Sequence, residues 1–338
     1  MSKRKITITT GTRAEYGLLR PVLEEILKKK NLELFLIVTG THLSKKHGMT
    51  IHEIKNDGFK IFQKIQFLPK KNTNLDITKS LGEGIINFGK IFGKIKPDIN
   101  VILGDRPEVF ASAISAYMMN IPNAHIHGGD ISGNIDEYTR HAITKISNIH
   151  FPATQKSKNR IVKMGENPKF VFKVGSSSID DIKLGKISAS HSFEKKYRIN
   201  LQQKFIVLLY HPETTSIINI KKSIKLILNA IGSFNLPIIS ICPNSDSGSN
   251  IIYNELHEFQ KNNHLVKLFS SIPRDDFLCL LNNSGILVGN SSSGIIEGSY
   301  MGTPVVNIGS RQNGREQSSN VINVKNESEN CIKNAIKK

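Results

Sequence analysis

Short apolar stretches rich in β-branched residues alternate along the chain with longer stretches in which apolar residues recur with helical spacing. In the first half, the short stretches are residues 5–10, 32–39, 100–104, 124–127 and 149–152. An amphipathic stretch at residues 18–29 predicts a helix between the first two of them. This alternation is typical of βαβ units and predicts a parallel sheet covered by helices.

A second series of the same kind follows Gly175, with short apolar stretches at residues 205–210, 238–242, 265–269, 286–288 and 305–308. A chain of 338 residues has room for two domains of roughly 100–200 residues each. We therefore predict an α/β fold of two Rossmann-like doubly wound domains, residues 1–175 and 176–338, that face a central cleft. Ligands of such sheets bind beyond the carboxyl ends of the strands, so the residues that follow each strand are candidates for chemistry.

Composition narrows the class of partner. The chain carries 46 Lys and Arg against 28 Asp and Glu, a formal charge of +18 that would attract nucleic acids at long range. The lysines stand in short, separated groups, so we predict a solvated basic surface that draws in an anionic small molecule, with no nucleic-acid partner. Neither an export signal nor a run of about 18 apolar residues occurs, which predicts a cytoplasmic protein without a membrane partner.

Two polar groups follow strands of the first domain. The turn at residues 10–17 is built of small residues and could bring backbone N–H groups and Arg13 to an anion, although it could equally be a tight turn capped by Thr12. It is neither a Walker A motif nor a dinucleotide fingerprint, so we predict no cofactor. After the strand at 100–104, Asp105 is either a proton-transfer group or the N-cap of the helix that Pro107 begins.

Acids, histidines and an arginine crowd residues 125–141. Strand alternation predicts that His125 and His127 share one face, and the two glycines that follow allow a ligand to approach Asp130. Asp136 and Arg140 stand at i and i+4, either as site residues on one helix face or as a surface ion pair. The spacing lacks HExxH or a second Cys/His group, so we predict no metal.

The second domain offers a site for a diphosphate. His211 ends one strand, and the small-residue run Asn290, Ser291, Ser292 and Ser293 follows another. Free N–H groups and hydroxyls at the start of the predicted helix suit a diphosphate, and Glu297, one turn into that helix, would accept hydrogen bonds from ribose hydroxyls. The alternative is an ordinary serine-rich N-cap.

These groups occur in a recognisable order. GTRAEYG, GDRPE, HIHGGD with IDEYTRH, YHPET, PNSDSGS and GNSSSGIIEGSYMGTPVVNIGSRQNGRE resemble the hydrolysing UDP-N-acetylglucosamine 2-epimerases from Ile6 to about Val324. The HIHGG form resembles especially the bacterial enzymes that supply sialic-acid-type sugars, including those that act on UDP-N,N'-diacetylbacillosamine for legionaminic acid.

The resemblance implies the glycosyltransferase-B architecture and a reaction without metal or nicotinamide. A base removes the C2 proton, UDP leaves by anti elimination, and water adds to the 2-acetamidoglucal to release ManNAc or its analogue. The predicted activity is therefore hydrolysis and epimerisation of UDP-GlcNAc, with UDP-N,N'-diacetylbacillosamine as the alternative substrate. The resemblance also implies a homo-oligomer, a dimer or a tetramer.

Residue roles follow from motif positions. Asp105 and Asp136 match the family's catalytic acids, and Arg106 and Arg140 would lie near the sugar or phosphates. The UDP-binding positions are Arg13, His211, Asn290, Ser291, Ser292, Ser293 and Glu297.

Two features of the chain differ from the family pattern. Many relatives carry a catalytic Glu where this chain has His127, so that role could pass to His127, Asp130 or Glu137. Residues 327–338 would be a shortened form of the helix that closes the family fold back onto the first domain. Three other functions stay open: a non-hydrolysing epimerase, a glycosyltransferase and a non-catalytic UDP-sugar sensor.

Overall fold

The computed structural model describes residues 3–69, 73–133, 135–213, 220–243, 246, 248–325 and 328–338. They form two compact units, which divide at Ser177 and Ser178; the short segment at Ser132 and Gly133 belongs to the second unit. Thr214 of the YHPET motif, three residues of PNSDSGS, and Glu327 lie outside the described residues.

The first unit is built on a parallel sheet with the strand order β3-β2-β1-β4-β5-β6. Its strands are β1 (Arg4–Thr10), β2 (Leu32–Val38), β3 (Ile61–Lys64), β4 (Ile99–Leu103), β5 (Asn123–Ile126) and β6 (Ile149–Phe151). Its helices are α1 (Arg13–Lys28), α2 (Ile51–Asn56), α3 (Asn74–Ile95), α4 (Pro107–Met118), α5 (Asp136–Lys145) and α6 (Gln155–Lys163), and α7 (Ser177–Lys183) leads into the second unit.

The second unit repeats this topology. Its parallel sheet runs β12-β11-β10-β7-β8-β9, which is the same winding when strands are counted from β7. Its strands are β7 (Ile206–Leu209), β8 (Ile238–Ile241), β9 (Val266–Phe269), β10 (Ile286–Gly289), β11 (Val305–Ile308) and β12 (Val321–Val324). Its helices are α8 (Ser190–Tyr197), α9 (Ile220–Gly232), α10 (Ser249–Asn262), α11 (Arg274–Asn283), α12 (Ser292–Ile295), α13 (Glu297–Met301) and α14 (Glu329–Lys337).

Both sheets have the Rossmann order, so the prediction of two doubly wound Rossmann-like domains is confirmed. The central strand β7, Ile206–Leu209, is buried and apolar on both faces, as expected where helices cover both sides of a sheet. The two strands that the sequence pattern missed, β3 and β12, are sheet edges whose residues are mostly exposed or half-buried.

The C-terminal helix α14 packs within the second unit. Ile332 and Ala335 are buried in the same apolar cluster as Ile224 and Leu228 of α9. Ser328 caps the start of α14 by accepting a hydrogen bond from Cys331 N. No helix in the described ranges is both long enough and apolar enough to cross a bilayer.

Candidate active site and nucleotide site

The strand order creates one switch point in each unit. In the first unit, β1 lies beside β4, and the chain leaves these strands toward opposite edges of the sheet. In the second unit, β7 and β10 have the same relation. The turn after β1 therefore lies next to Asp105 after β4, and His211 after β7 lies next to Asn290 after β10.

A buried ion pair organises the first switch point. The Arg140 Nη2 group donates to Asp105 Oδ2, and Arg140 Nη1 donates to the Asp130 carbonyl oxygen at 2.8 Å. Burial alone would lower the pKa of Arg140, but the carboxylates of Asp105, Asp130 and Asp136 outweigh burial and raise it. The guanidinium therefore stays charged beside three acids.

This geometry excludes two of the interpretations that the sequence left open. Asp105 is not the N-cap of α4, because Arg106 occupies that position and α4 begins at Pro107. The helix α5 begins at Asp136, as the i, i+4 argument required, and Arg140 is 3% exposed. The interpretation of Asp136 and Arg140 as a surface ion pair is therefore wrong.

The two histidines of the HIHGGD motif do not share a strand face, so that prediction is wrong. Strand β5 ends at Ile126, and His127 has a left-handed backbone with φ of 61°. His127 is 8% exposed, and its N–H donates to the Phe151 carbonyl at 3.0 Å. The change of direction at His127 breaks the alternation on which the prediction rested.

His125 is fully buried and links two elements of the first unit. Its Nε2 donates to the Gly104 carbonyl at 2.8 Å, and its Nδ1 lies 3.1 Å from Thr144 Oγ1. Burial lowers the pKa of His125 to about 3, so the ring is neutral. A Cβ at Gly128 would lie 2.8 Å from His125 Nδ1, which explains the glycine there. The two contacts of His125 therefore link the end of β4, which precedes Asp105, to α5.

Asp130 is held on both its backbone and its side chain. Its carbonyl accepts from Arg140, and its carboxylate accepts from the Ser157 hydroxyl. Burial lowers the pKa of His141. Glu137, the half-buried second residue of α5, opposes that shift with a smaller effect. Asp130, Asp136 and Glu137 therefore all lie close to the Arg140 guanidinium or on its helix.

The turn after β1 contains both features that the sequence suggested. Thr12 Oγ1 accepts from Glu15 N at 3.3 Å and caps α1, and Arg13 is the first, half-buried residue of that helix. Glu15 Oε2 accepts from Gly11 N at 2.7 Å. Thr12 and Glu15 have the Thr-x-x-Glu spacing of a capping box, a local signal from which this helix start could have been predicted.

A second buried carboxyl accompanies Glu15. Glu108 is 2% exposed, and its Oε1 would lie 3.0 Å from a Cβ placed on Gly11. Burial, with a smaller contribution from Glu108, raises the pKa of Glu15 to about 8. Arg106 Nε lies 3.9 Å from Glu108 Oε2. Arg106 is thus placed against acidic side chains beside the glycine turn.

At the switch point of the second unit, the Asn290 side chain forms two hydrogen bonds with the backbone of His211, an arrangement called here the neutral clasp. Asn290 Oδ1 accepts from His211 N at 2.7 Å, and Asn290 Nδ2 donates to the His211 carbonyl at 2.9 Å. Gln312 Nε2 donates to the Asn290 carbonyl at 2.7 Å. Asn290, His211 and Gln312 are all buried, so each backbone group in the clasp needs its partner. Gln312 was not a predicted site residue, although it lies within the motif GNSSSGIIEGSYMGTPVVNIGSRQNGRE.

The serine run does not open one helix, as predicted, but two short ones. Ser291 is the N-cap of α12 and accepts from Ser293 N at 3.3 Å, while Ser292 and Ser293 are half-buried. Ile296 interrupts the helical path, so Glu297 is the first residue of α13 rather than a residue one turn into the first helix. The ordinary-cap interpretation holds for Ser291.

Glu297 lies in a buried charge cluster that sequence reasoning missed. Its Oε1 accepts from Arg274 Nη1 at 2.9 Å, and Arg274 in turn lies near Asp181 of α7. No local pattern could have shown this, because the three residues are far apart in the chain. Among the described residues, no group of three His, Cys, Asp or Glu side chains is arranged to hold a metal ion.

The chain is similar to known proteins over most of its length. The family model described as UDP-N-acetylglucosamine 2-epimerase matches residues 24–338. The chain is 40% identical to the UDP-N,N'-diacetylbacillosamine 2-epimerase (hydrolyzing) of Legionella pneumophila, over 95% of this chain and 85% of that protein. It is 38% identical to the GDP/UDP-N,N'-diacetylbacillosamine 2-epimerase (hydrolyzing) of Campylobacter jejuni, over 95% and 84%.

A solved structure shares the fold. The UDP-GlcNAc 2-epimerase from Neisseria meningitidis, bound to UDP-GlcNAc, superposes with a TM-score of 0.82 at 19% identity, over 98% of this chain and 90% of that one. The family model covers nearly the whole chain, and the resemblance inferred from the motifs is confirmed. The chain therefore belongs to the UDP-N-acetylglucosamine 2-epimerase family.

Proposed function

We propose that the protein is a hydrolysing UDP-sugar 2-epimerase that releases UDP and the free 2-epimeric sugar. The observation that carries the proposal is the buried Arg140 guanidinium, held charged by Asp105 with Asp136 four residues before it. Removing a proton from a carbon of low acidity requires a positioned base and stabilisation of the charge that develops on the leaving group.

In the proposed reaction, Asp105 and Asp136 exchange protons with the sugar. One carboxylate takes the C2 proton while the C1–O bond breaks, and UDP leaves with the bonding electron pair. Water then adds to the C1=C2 bond, its oxygen at C1 and a proton at C2 from the opposite face. Arg140 holds Asp105 in place and stabilises negative charge. His127, Asp130 and Glu137 are the candidates for the further acid that many relatives supply as a glutamate.

The nucleotide would bind at the second switch point. The half-buried hydroxyls of Ser292 and Ser293, together with the N–H groups near them, suit a diphosphate, and His211 lies at the end of the adjacent strand. Because α12 is only four residues long, hydroxyls and individual N–H groups contribute more than a helix dipole. Glu297 would accept from the ribose, and Arg13 and Arg106 of the first unit stay predicted as substrate-binding residues.

For the substrate, we propose UDP-N,N'-diacetylbacillosamine first and UDP-GlcNAc second. The relatives at 40% and 38% identity are named for the diacetylated sugar. A UDP-N-acetylglucosamine 2-epimerase of Neisseria meningitidis is 32% identical over 97% of this chain and 86% of that protein, which supports the second candidate.

Proton NMR in D2O with each UDP-sugar in turn tests the proposal. The expected products are UDP and a free 2-epimeric sugar that carries deuterium at C2, with faster turnover of the diacetylated substrate. A 2-epimeric sugar that stays attached to UDP would instead identify a non-hydrolysing epimerase. Absence of C2 exchange with both substrates would contradict epimerisation by elimination.

A further inference from the structure

One guanidinium in the second unit contacts three groups at once. Arg274, the first residue of α11, donates from Nη1 to Glu297 Oε1 at 2.9 Å and from Nη2 to the Ser178 carbonyl at 2.9 Å. Its Nε lies 3.5 Å from Asp181 Oδ2. Arg274 is 8% exposed, Glu297 3% and Asp181 0%, so this is an interior network.

The fork of the guanidinium sets the direction of each contact. Its five N–H donors lie in one plane, so contacts to Ser178 and Asp181 on α7 prevent rotation of the group that faces Glu297. Lys186 Nζ, 3.7 Å from Asp181 Oδ1, adds a second cation at the far end. Two cations thus accompany two carboxylates, and the network is balanced in charge.

The backbone alone does not fix the Glu297 carboxylate. Glu297 begins the five-residue helix α13, directly after the interruption at Ile296, so few helical contacts precede it. A glutamate side chain has several rotatable bonds, and holding it in one orientation costs conformational entropy. The contact to Arg274 selects one orientation before any ligand binds and engages Oε1.

From these contacts we infer that Arg274 is a positioning residue for the nucleotide: it holds Glu297 so that the carboxylate can accept hydrogen bonds from the ribose hydroxyls of UDP. The inference rests on the proposed function, because it takes the ribose as the partner of Glu297. Arg274 itself does not touch the ligand. Its effect should therefore appear in recognition of the sugar hydroxyls and not in recognition of the diphosphate.

Ligand pairs that differ by one hydroxyl measure this effect. Isothermal titration with UDP, 2'-deoxyUDP and 3'-deoxyUDP gives a discrimination ratio for each hydroxyl. A hydrogen bond to a charged group makes the expected wild-type ratio about tenfold for at least one hydroxyl. In Arg274→Met the ratio should fall to about two or less, as it should in Glu297→Gln. The double variant Arg274→Met with Glu297→Gln should lose little more discrimination, because both changes remove the same interaction.

Three further variants separate positioning from loss of structure. The double variant Arg274→Met with Asp181→Asn removes one charge of each sign. The network therefore stays balanced in charge, while Glu297 loses the contact that orients it. Arg274→Lys keeps the charge without the fork and should give an intermediate ratio. Lys196→Met is the control. It removes the 2.7 Å ion pair between Lys196 of α8 and Asp276 of α11, the helix that Arg274 begins, and should leave the ratio unchanged.

The outcomes distinguish the two proposals. If wild-type protein binds no UDP, the proposed function fails. If wild-type protein binds UDP and discriminates against a deoxy analogue, but both Arg274→Met variants keep that ratio, the inference about Arg274 is overturned while the function stands. Loss of the ratio in Lys196→Met, or no discrimination by wild-type protein, also overturns the inference. Should the Met variants fail to fold, the ratio in Arg274→Lys decides, and an unchanged value contradicts positioning.

Discussion

The two switch points have the same strand topology but are held together by different forces. In the first unit, an ion pair joins Asp105 to Arg140, and further acids surround the guanidinium. In the second unit, the Asn290 amide joins to both backbone groups of His211 without any net charge. The first arrangement concentrates groups that carry protons and charge. The second fixes the residues that follow β7 and β10 relative to each other.

This difference matches a division of labour between chemistry and binding. Proton transfer needs titratable groups in a controlled electrostatic environment, whereas binding a diphosphate needs donors whose positions do not depend on pH. A neutral clasp supplies that independence because neither the Asn290 amide nor the backbone of His211 titrates. If the comparison holds, damage to the first switch point should affect turnover, and damage to the second should affect affinity and stability.

The largest effect is expected from Asp105→Asn. The amide cannot take a proton from C2, so kcat should fall about a thousandfold while UDP affinity changes little. Asp98→Asn is the matched control, because Asp98 stands at the opposite end of the same strand and accepts a backbone hydrogen bond from Lys5 that an amide can also accept. Steady-state kinetics and UDP titration measure both. An equal loss of UDP affinity in Asp105→Asn would contradict a chemical role.

A smaller effect is expected from Asn290→Ala. Truncation leaves His211 N and O buried without their partner, which should cost roughly 2–4 kcal/mol of unfolding free energy and weaken UDP binding. Asn307→Ala is the control, because Asn307 pairs with β10 in register with Gly289 but its amide bonds to the Asn323 side chain at 2.7 Å. Urea denaturation and titration with UDP measure the two effects. Equal loss of UDP affinity in both variants would show that the clasp has no special part in nucleotide binding.

The smallest effect concerns pH and the acid beside the glycine turn. Burial raises the pKa of Glu15 from its ordinary value of 4.5 to about 8, so the folded chain binds an extra proton between these values. Because the folded chain holds the extra proton, the stability from this group is present in full below the lower value and is lost as pH rises toward the higher one. Glu15→Gln should remove this slope.

Urea denaturation at intervals between pH 5 and pH 8 measures the slope. The exposed Glu83→Gln on α3 is the matched control and should retain the wild-type dependence. The same slope in Glu15→Gln and wild-type protein would show that Glu15 ionises in the folded state as it does in the unfolded one.

Much of the fold follows from local pattern. Each predicted strand is present within about two residues, because a strand buried on both faces needs a continuous apolar stretch. Of the four edge strands, β6 and β9 were predicted and β3 and β12 were not. The two missed strands contain exposed residues, and an exposed edge strand tolerates polar side chains. The two-helix path through Ile296 escaped it because nothing in the residue types there forbids one continuous helix.

The sequence by itself determined which residues follow the strands, because parallel strands bring those residues to one edge whatever the details of packing. It thereby made Asp105, His211 and the serine run candidate site residues, and the i, i+4 spacing added Asp136 and Arg140. Only the tertiary structure decided their partners. Asp105 pairs with Arg140 across 35 positions, Asn290 clasps His211 across 79, and Arg274 reaches Glu297 across 23. Such pairs form where separate elements pack together, and no local periodicity carries that information.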